Sequence, residues 1–416
     1  METNESNLPI ANDFLHWKRN VVLFLAGQNV SLFGTSLVQY IIIWYVTLLT
    51  GSGTMMMIGT LCSVLPQIII GLFAGVWADR FNRKTIIITA DSMIALSTLV
   101  IALLFMFGID HIWLLFLVMA LRSLGSGIQM PAVSALIPQL VPQDKLMKIN
   151  GIHTSVSSLI MLISPAAGGA MLTAAPMHLG LFVDVVTAII GVGFMLLIPV
   201  QKIINEQAKI NTYFKDLLSG LKYVFSHGLV RKIILFYAIF FLCVTPAAIL
   251  TPLYITRVYG EEIWRLTANE MLFSAGTIIG GIIIAAWGGF KNRLFTMACG
   301  FTALGILNLL LGLGLVFWAY LIVIGAMGIV VPMVSSPTVV LLQERVESSI
   351  QGRVFGIYGI ITTSAFPLGM LIFGPLADYV AMEYMFIATG AVIILMSILF
   401  LLDKKFLAMG IKKEPQ

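Results

Sequence analysis

Long apolar runs alternate with short polar breaks along nearly the whole chain. Bounded by charges or Gly/Pro clusters, they fall near 20–49, 54–78, 85–107, 112–138, 149–174, 179–200, 230–256, 267–288, 294–314, 317–342, 353–377 and 384–402. Each approaches or exceeds the roughly 20 residues that an α-helix needs to cross the hydrocarbon core of a bilayer. The longer runs predict tilted or protruding helices. One long polar connection, 201–229, divides the twelve spans six and six. The expected architecture is all-α and polytopic: a six-helix bundle over 1–200, a linker over 201–229, and a second six-helix bundle over 230–416.

Composition points the same way. Of 416 residues, 59% are hydrophobic and only 10% charged, and the mean hydropathy is +1.01. Soluble domains carry about 25% charged residues, and one aqueous core could not hide this much apolar side chain. Lipid is therefore a partner of the fold. Cys62, Cys243 and Cys299 lie far apart inside apolar runs, with neither metal spacing nor a disulfide framework. The polar stretch up to Arg19 lacks a basic leader region. The first apolar run is too long for a signal peptide, so it reads as a retained helix.

The charges set an orientation. With both termini in the cytoplasm, 21 of the 24 Lys and Arg residues fall on the cytoplasmic side, Arg257 and Arg265 fall outside and Arg122 falls within a span. The net charge of +5 then reports topology, and no nucleic-acid partner is implied. In the central loop Phe214, Leu217, Leu218, Leu221, Val224 and Phe225 alternate with Lys215, Asp216 and Lys222. That spacing predicts an amphipathic helix on the inner leaflet.

The halves resemble one another. Trp77, Asn82 and Arg83 recur as Trp287, Asn292 and Arg293 at an offset of 210. Ser164-Pro-Ala-Ala-Gly-Gly169 is echoed by Phe366-Pro-Leu-Gly369 at an offset of 202. Near-constant offsets indicate duplicated six-helix units, an arrangement in which secondary transporters hold substrate at the midplane between the halves.

Gly75-x-x-x-Asp79-Arg80-x-x-Arg83-Lys84 resembles motif A of the major facilitator superfamily, with Asn82 where that pattern usually has glycine. Leu121-Arg122-Ser-Leu-Gly125-Ser-Gly127 resembles motif B. Ser164-Pro165-Ala-Ala-Gly168-Gly169 resembles the antiporter motif C, with serine in place of the glycine before the proline. The resemblance spans about 17–403. Trp17-Lys18, Ala26-Gly27-Gln28, Leu140-Val-Pro142 and Gly352-Arg353-Val-Phe355 are most similar to the macrolide-efflux and siderophore-exporter branch of twelve-helix drug:proton antiporters. The resemblance implies that Asp79 latches the cytoplasmic side against the eleventh helix, near Gly352 and Arg353. It also implies that the Pro165 segment seals the central path.

Intramembrane charge marks candidate proton-coupling residues, because an unpaired charge there costs several kcal/mol. Arg122 is one, with Asp184 or Asp91 as its partner; Glu270 is another. His153 can titrate near neutrality, although hydrogen bonding within the packing is the plainer role. Gln28, Thr35 and Gln39 share a helical face, and with Gln129, Met130, Tyr254, Tyr358 and Phe366 they are the candidate cavity residues. Few fixed charges among aromatics and methionines suit bulky amphipathic compounds.

The reading that follows is a monomeric exporter of amphipathic small molecules, macrolide-type drugs among them, in a bacterial plasma membrane. It exchanges substrate for protons by alternating access and uses no cofactor beyond the proton gradient. The alternatives are an importer or symporter, or an exporter of a polar metabolite or siderophore. No HExxH, GxSxG or P-loop pattern appears, which argues against an enzyme or a nucleotide-driven pump.

Overall fold

The computed structural model describes residues 16–200 and 210–411, without side-chain detail at Val76, Asp79, 210–217, Ser348 and Ser349. The described residues are helical apart from connections and one isolated bridge between Asn292 and Ile411. The helices are α1 (Trp17–Thr50), α2 (Gly53–Arg80), α3 (Arg83–Met106), α4 (Ile112–Leu140), α5 (Leu146–Ala174) and α6 (Met177–Leu196). They continue as α7 (Ile210–Ser226), α8 (Gly228–Ile249), α9 (Thr251–Val258), α10 (Ile263–Trp287), α11 (Arg293–Leu311) and α12 (Phe317–Arg345). Last come α13 (Ser348–Leu376), α14 (Met382–Leu402) and α15 (Lys404–Ala408). Among the described residues, twelve segments are long and apolar enough to span a bilayer, at the positions the apolar runs predicted.

One predicted span is interrupted. The run near 230–256 is built from α8 and α9, which meet at Leu250. Pro246 lies inside α8 and Pro252 in the first turn of α9; a proline has no N–H to give and crowds the preceding turn.

Helix ends are placed by local chemistry. Asn82 accepts from the Lys84 N–H at 3.0 Å, and Asn292 accepts from the Leu294 and Phe295 N–H groups at 3.0 and 3.2 Å. Both asparagines are therefore N-caps, of α3 and of its counterpart α11. Asn82 has φ −64°, so its turn does not require the glycine usual at that place. The repeat extends to the arginines that follow. Arg83 donates to the Ala135 carbonyl on α4 at 2.7 Å, and Arg293 pairs with Glu344 on α12 at 2.8 Å.

Each half has its own apolar core. Val21, Phe24, Ile87, Leu136 and Met195 pack near the end of the bundle that carries both termini, and Ile41, Val46, Leu115, Met119 and Leu181 pack near the opposite end. In the second half Tyr237, Phe301, Leu304, Phe386 and Phe400 form the main cluster, which Trp44 and Met56 join from the first half. The amphipathic α7 buries Gly220 and Val224 against α13 and leaves Leu218, Leu221 and Phe225 exposed along one stripe. It touches both α2 and α13, so this helix packs on both halves.

Candidate functional site

Two polar networks cross the first half. In one, Arg122 on α4 pairs with Asp184 on α6, both fully buried. Arg122 also donates to the Thr98 hydroxyl at 2.6 Å and to the Thr35 carbonyl at 3.0 Å. Thr98 and Thr35 in turn donate to the two Asp184 oxygens at 2.9 and 3.1 Å. Four helices thus converge on one neutralised ion pair, which satisfies the requirement that a charge inside a membrane be paired. Of the two partners the sequence allowed for Arg122, the fold selects Asp184.

The second network holds Asp91, also buried. One of its carboxylate oxygens accepts from Ser31 on α1 and from Gln129 on α4, each at 2.8 Å. These donors are neutral. Ser31 and Gln129 border a cavity of about 330 Å³ whose wall also includes Gln28, Thr35, Gln67, Met130, His153 and Ser157. Most of its lining side chains carry a hydrogen-bonding group, although more of the exposed wall is apolar. Asp91 lies directly behind these residues.

The second half contains a cavity with a more aromatic wall. About 220 Å³ is lined by Tyr237, Phe240, Phe241, Phe273, Tyr358 and Phe366, together with aliphatic residues and Glu270. Tyr237 is anchored by donating to the Val334 carbonyl at 2.9 Å. Glu270 accepts from Asn269 at 3.3 Å, and Asn269 is itself held by the Tyr320 hydroxyl at 2.8 Å. Among the described residues neither Asp91 nor Glu270 forms an ion pair.

The halves meet at the end remote from the termini. A Cβ built on Gly53 of α2 would lie 2.2 Å from the Gly374 carbonyl of α13, and one on Gly169 of α5 would lie 2.2 Å from Thr267 Oγ1 of α10. Asp378, just beyond α13, reinforces the contact: it accepts from the Gly53 N–H at 2.6 Å, the Thr54 N–H at 3.0 Å and the Ser52 and Thr54 hydroxyls at 2.9 and 2.6 Å. This carboxylate belongs to one half and caps the N-terminus of a helix in the other, where the helix dipole favours an anion. Arg257 completes the junction by donating to the Gly51 and Ala377 carbonyls and to Asp378. Toward the termini the glycines of the same helices are less crowded. A Cβ on Gly71 or Gly75 of α2, Gly151 of α5, or Gly352 or Gly356 of α13 would meet nothing within 4 Å. The space between the halves is closed at the end remote from the termini.

A sequence model of the Major Facilitator Superfamily matches residues 24–364. The chain belongs to this superfamily. Similar known proteins include Macrolide efflux protein A of Streptococcus pyogenes, 26% identical over 92% of this chain and 95% of that one. The Multidrug efflux pump Tap of Mycolicibacterium fortuitum is 22% identical over 89% and 92% of the two chains. Among solved structures, a POT family transporter in complex with a thioalcohol conjugated peptide superposes with a TM-score of 0.72 at 14% identity, covering 94% of this chain and 96% of that one. That last likeness is one of fold.

Within the superfamily's plan, motif A acts partly inside its own half. Besides its α4 contact, Arg83 donates to the Ala78 carbonyl at 3.1 Å, and Lys84 donates to the Leu196 and Ile198 carbonyls at the end of α6 at 3.0 and 2.7 Å. Arg80 is exposed at the end of α2, and the side chain of Asp79 lies outside the described residues. In motif C, Ser164, Pro165, Gly168 and Gly169 are buried; Gly168 packs on Leu37 and Tyr40 of α1, and Gly169 packs across the seam on α10.

The predicted cavity residues divide. Gln28, Thr35, Gln129 and Met130 border the polar cavity, and Tyr358 and Phe366 border the aromatic one. Gln39 instead ties α1 to α2 by donating to Ser63 at 3.3 Å. Tyr254 is a correction: it is fully buried among Tyr259, Tyr320 and Phe386 and borders neither cavity. The α8/α9 break redirects that stretch of chain into the aromatic cluster. Sequence reading overlooked Ser31, Gln67 and Ser157, and it overlooked Tyr237, Phe240, Phe241 and Phe273. Polar residues spaced along one face of α5 and an aromatic run in α8 were the available signals. It also overlooked Asp378, which only the closure of the two halves makes significant.

Proposed function

We propose that this chain exports amphipathic small molecules, macrolide-type compounds among them, in exchange for protons and by alternating access. One observation carries the reading. A polar cavity backed by Asp91 in one half and an aromatic cavity containing Glu270 in the other lie in a fold closed at one end. The first wall suits the hydrogen-bonding face of an amphiphile and the second its apolar face. Carboxylates held by neutral partners can bind and release a proton without breaking an ion pair, whereas Arg122 keeps Asp184 committed. In this reading Asp91 and Glu270 are the proton sites, and the Arg122–Asp184 pair positions α4 against α6. The relatives named for macrolide efflux and multidrug efflux support the outward direction. Both termini lie in the cytoplasm of a bacterium, the chain acts as a monomer in the plasma membrane, and the closed end faces outward. The proton gradient supplies the energy.

The test is susceptibility profiling of a pump-deficient host that expresses the chain. Resistance to macrolides that a protonophore abolishes is the expected result. Unchanged susceptibility at verified expression would reject the reading.

A further inference from the structure

A groove of about 520 Å³ runs between α1 and α5, away from both cavities described above. Its walls are Val22, Leu25 and Phe33 with their neighbours on α1, and Ile152, Val156 and Ile160 on α5. Asn29 carries the one polar side chain among the lining residues, and its Nδ2 is turned back to the Leu25 carbonyl at 2.7 Å. Val22 and Ile152, at the end nearest the helix starts, are well exposed. Both helices belong to membrane-spanning segments, so what fills an apolar groove here comes from the bilayer.

We propose that this groove binds an anionic phospholipid, with an acyl chain between α1 and α5 and the headgroup phosphate on Lys18 and Lys148. Lys18 stands one turn before Val22, and Lys148 one turn before Ile152; both are exposed. Lys18, Val22, Leu25, Asn29 and Phe33 follow at steps of four, three, four and four, which keeps the charge on the groove's own helical face. Neither lysine forms an ion pair among the described residues. The neighbouring acid, Asp144, is held by Lys145 at 2.7 Å. The length fits as well. From Val22 to Phe33 the helix rises about 16 Å, close to the roughly 15 Å hydrocarbon depth of one leaflet. A basic mouth over an apolar slot one leaflet deep matches a phosphate joined to an acyl chain, and a lysine near an anionic surface is attracted to it.

The same two helices face the polar cavity on their other side, α1 through Gln28 and Ser31 and α5 through His153 and Ser157. A lipid chain in the groove fills the space behind that wall, where a void would leave the side chains without packing partners. The site does not depend on the efflux reading. In the orientation proposed above it belongs to the cytoplasmic leaflet.

The experiment places the full-length chain in nanodiscs that contain phosphatidylglycerol with a diazirine midway along one acyl chain, and maps the photoadducts by peptide mass spectrometry. A phosphatidylcholine probe with the same chains is the control. Adducts should concentrate between Val22 and Phe33 and between Ile152 and Ile160, about tenfold more from the glycerol than from the choline probe. Lys18→Gln/Lys148→Gln should erase that preference, and Lys18→Arg/Lys148→Arg should keep it. Val156→Trp should fill the groove and remove its adducts, while those around the exposed Leu399 of α14 persist and report an intact fold. Soluble glycerol phosphate, which has no chains, should not compete. Equal labelling by the two probes, adducts no denser in the groove than around Leu399, or a preference that survives the double glutamine variant overturns the proposal. Competition by glycerol phosphate overturns it too, because the site would then take a free anion. None of these readouts involves transport, so a failure of the efflux reading is seen separately.

Discussion

Asp91 and Asp184 show how neighbours divide one side-chain chemistry into two roles. Both are buried on adjacent helices of the same half. Asp184 has Arg122 and two threonines, whereas Asp91 has a serine and a glutamine. Breaking a buried pair by removing one partner typically costs about 3–5 kcal/mol. Arg122→Ala or Asp184→Ala is therefore expected to lower the melting temperature and membrane yield sharply. The double variant Arg122→Met/Asp184→Leu should recover much of the loss, because it leaves no orphaned charge. Recovery of stability without recovery of transport would show that the pair also contributes to turnover. Asp91→Asn retains a side chain of the same shape and removes the titration. It is expected to fold at wild-type levels and to abolish protonophore-sensitive macrolide resistance in cells; wild-type resistance at equal expression would exclude Asp91 as a proton site.

At the scale of elements, the junction remote from the termini is the most specific contact between the halves. Burial works to raise the Asp378 pKa, but hydrogen bonds from Thr54, Gly53 and Ser52 outweigh it and hold the carboxyl below its usual value. A carboxylate depressed in this way contributes its full stability above the unfolded value of about 4 and loses it only as pH falls through the lower folded value. The junction should therefore stay intact across pH 5–8, a range in which any pH response of the transporter must arise elsewhere. Asp378→Ala removes five hydrogen bonds, one of them from Arg257, from a partly exposed site and should shift the balance toward opening at that end by about 1–2 kcal/mol, roughly tenfold in population. Distances between spin labels at Leu49 and Tyr379, both exposed at that end, should lengthen or broaden in the variant; an unaltered distribution would remove Asp378 from the closure. A similar argument applies at Gly169, where a Cβ would strike Thr267 of α10. Gly169→Leu is expected to hold the halves apart and broaden the same label pair.

For the whole molecule, the halves close on each other at the end remote from the termini, where the proposed alternating cycle would open them, and the polar and aromatic cavities lie in separate halves. Inside-out vesicles test the direction of the cycle. Acidifying the lumen should drive a macrolide into it, and a protonophore should collapse the accumulation. A symporter or importer would instead carry substrate out of the lumen.

Much of this protein could be read from its amino-acid order, because lipid imposes a simple rule: a helix of about 20 apolar residues satisfies its own backbone, and little else can cross. The twelve spans, the amphipathic linker helix, the internal repeat at Trp77/Trp287 and Asn82/Asn292, and the importance of Arg122 all follow from such local patterns. Partner choice did not follow. Arg122 pairing with Asp184 rather than Asp91, Tyr254 turning into a buried aromatic cluster, and Asp378 capping a helix that begins more than 300 residues earlier depend on which helix faces register across space. A one-dimensional periodicity marks a face but does not name its neighbour. Inside a bilayer every face meets something apolar, so hydrophobicity alone does not separate a lipid-facing stripe from a cavity wall. Only tertiary packing decided which polar side chains meet each other and which are left for a ligand.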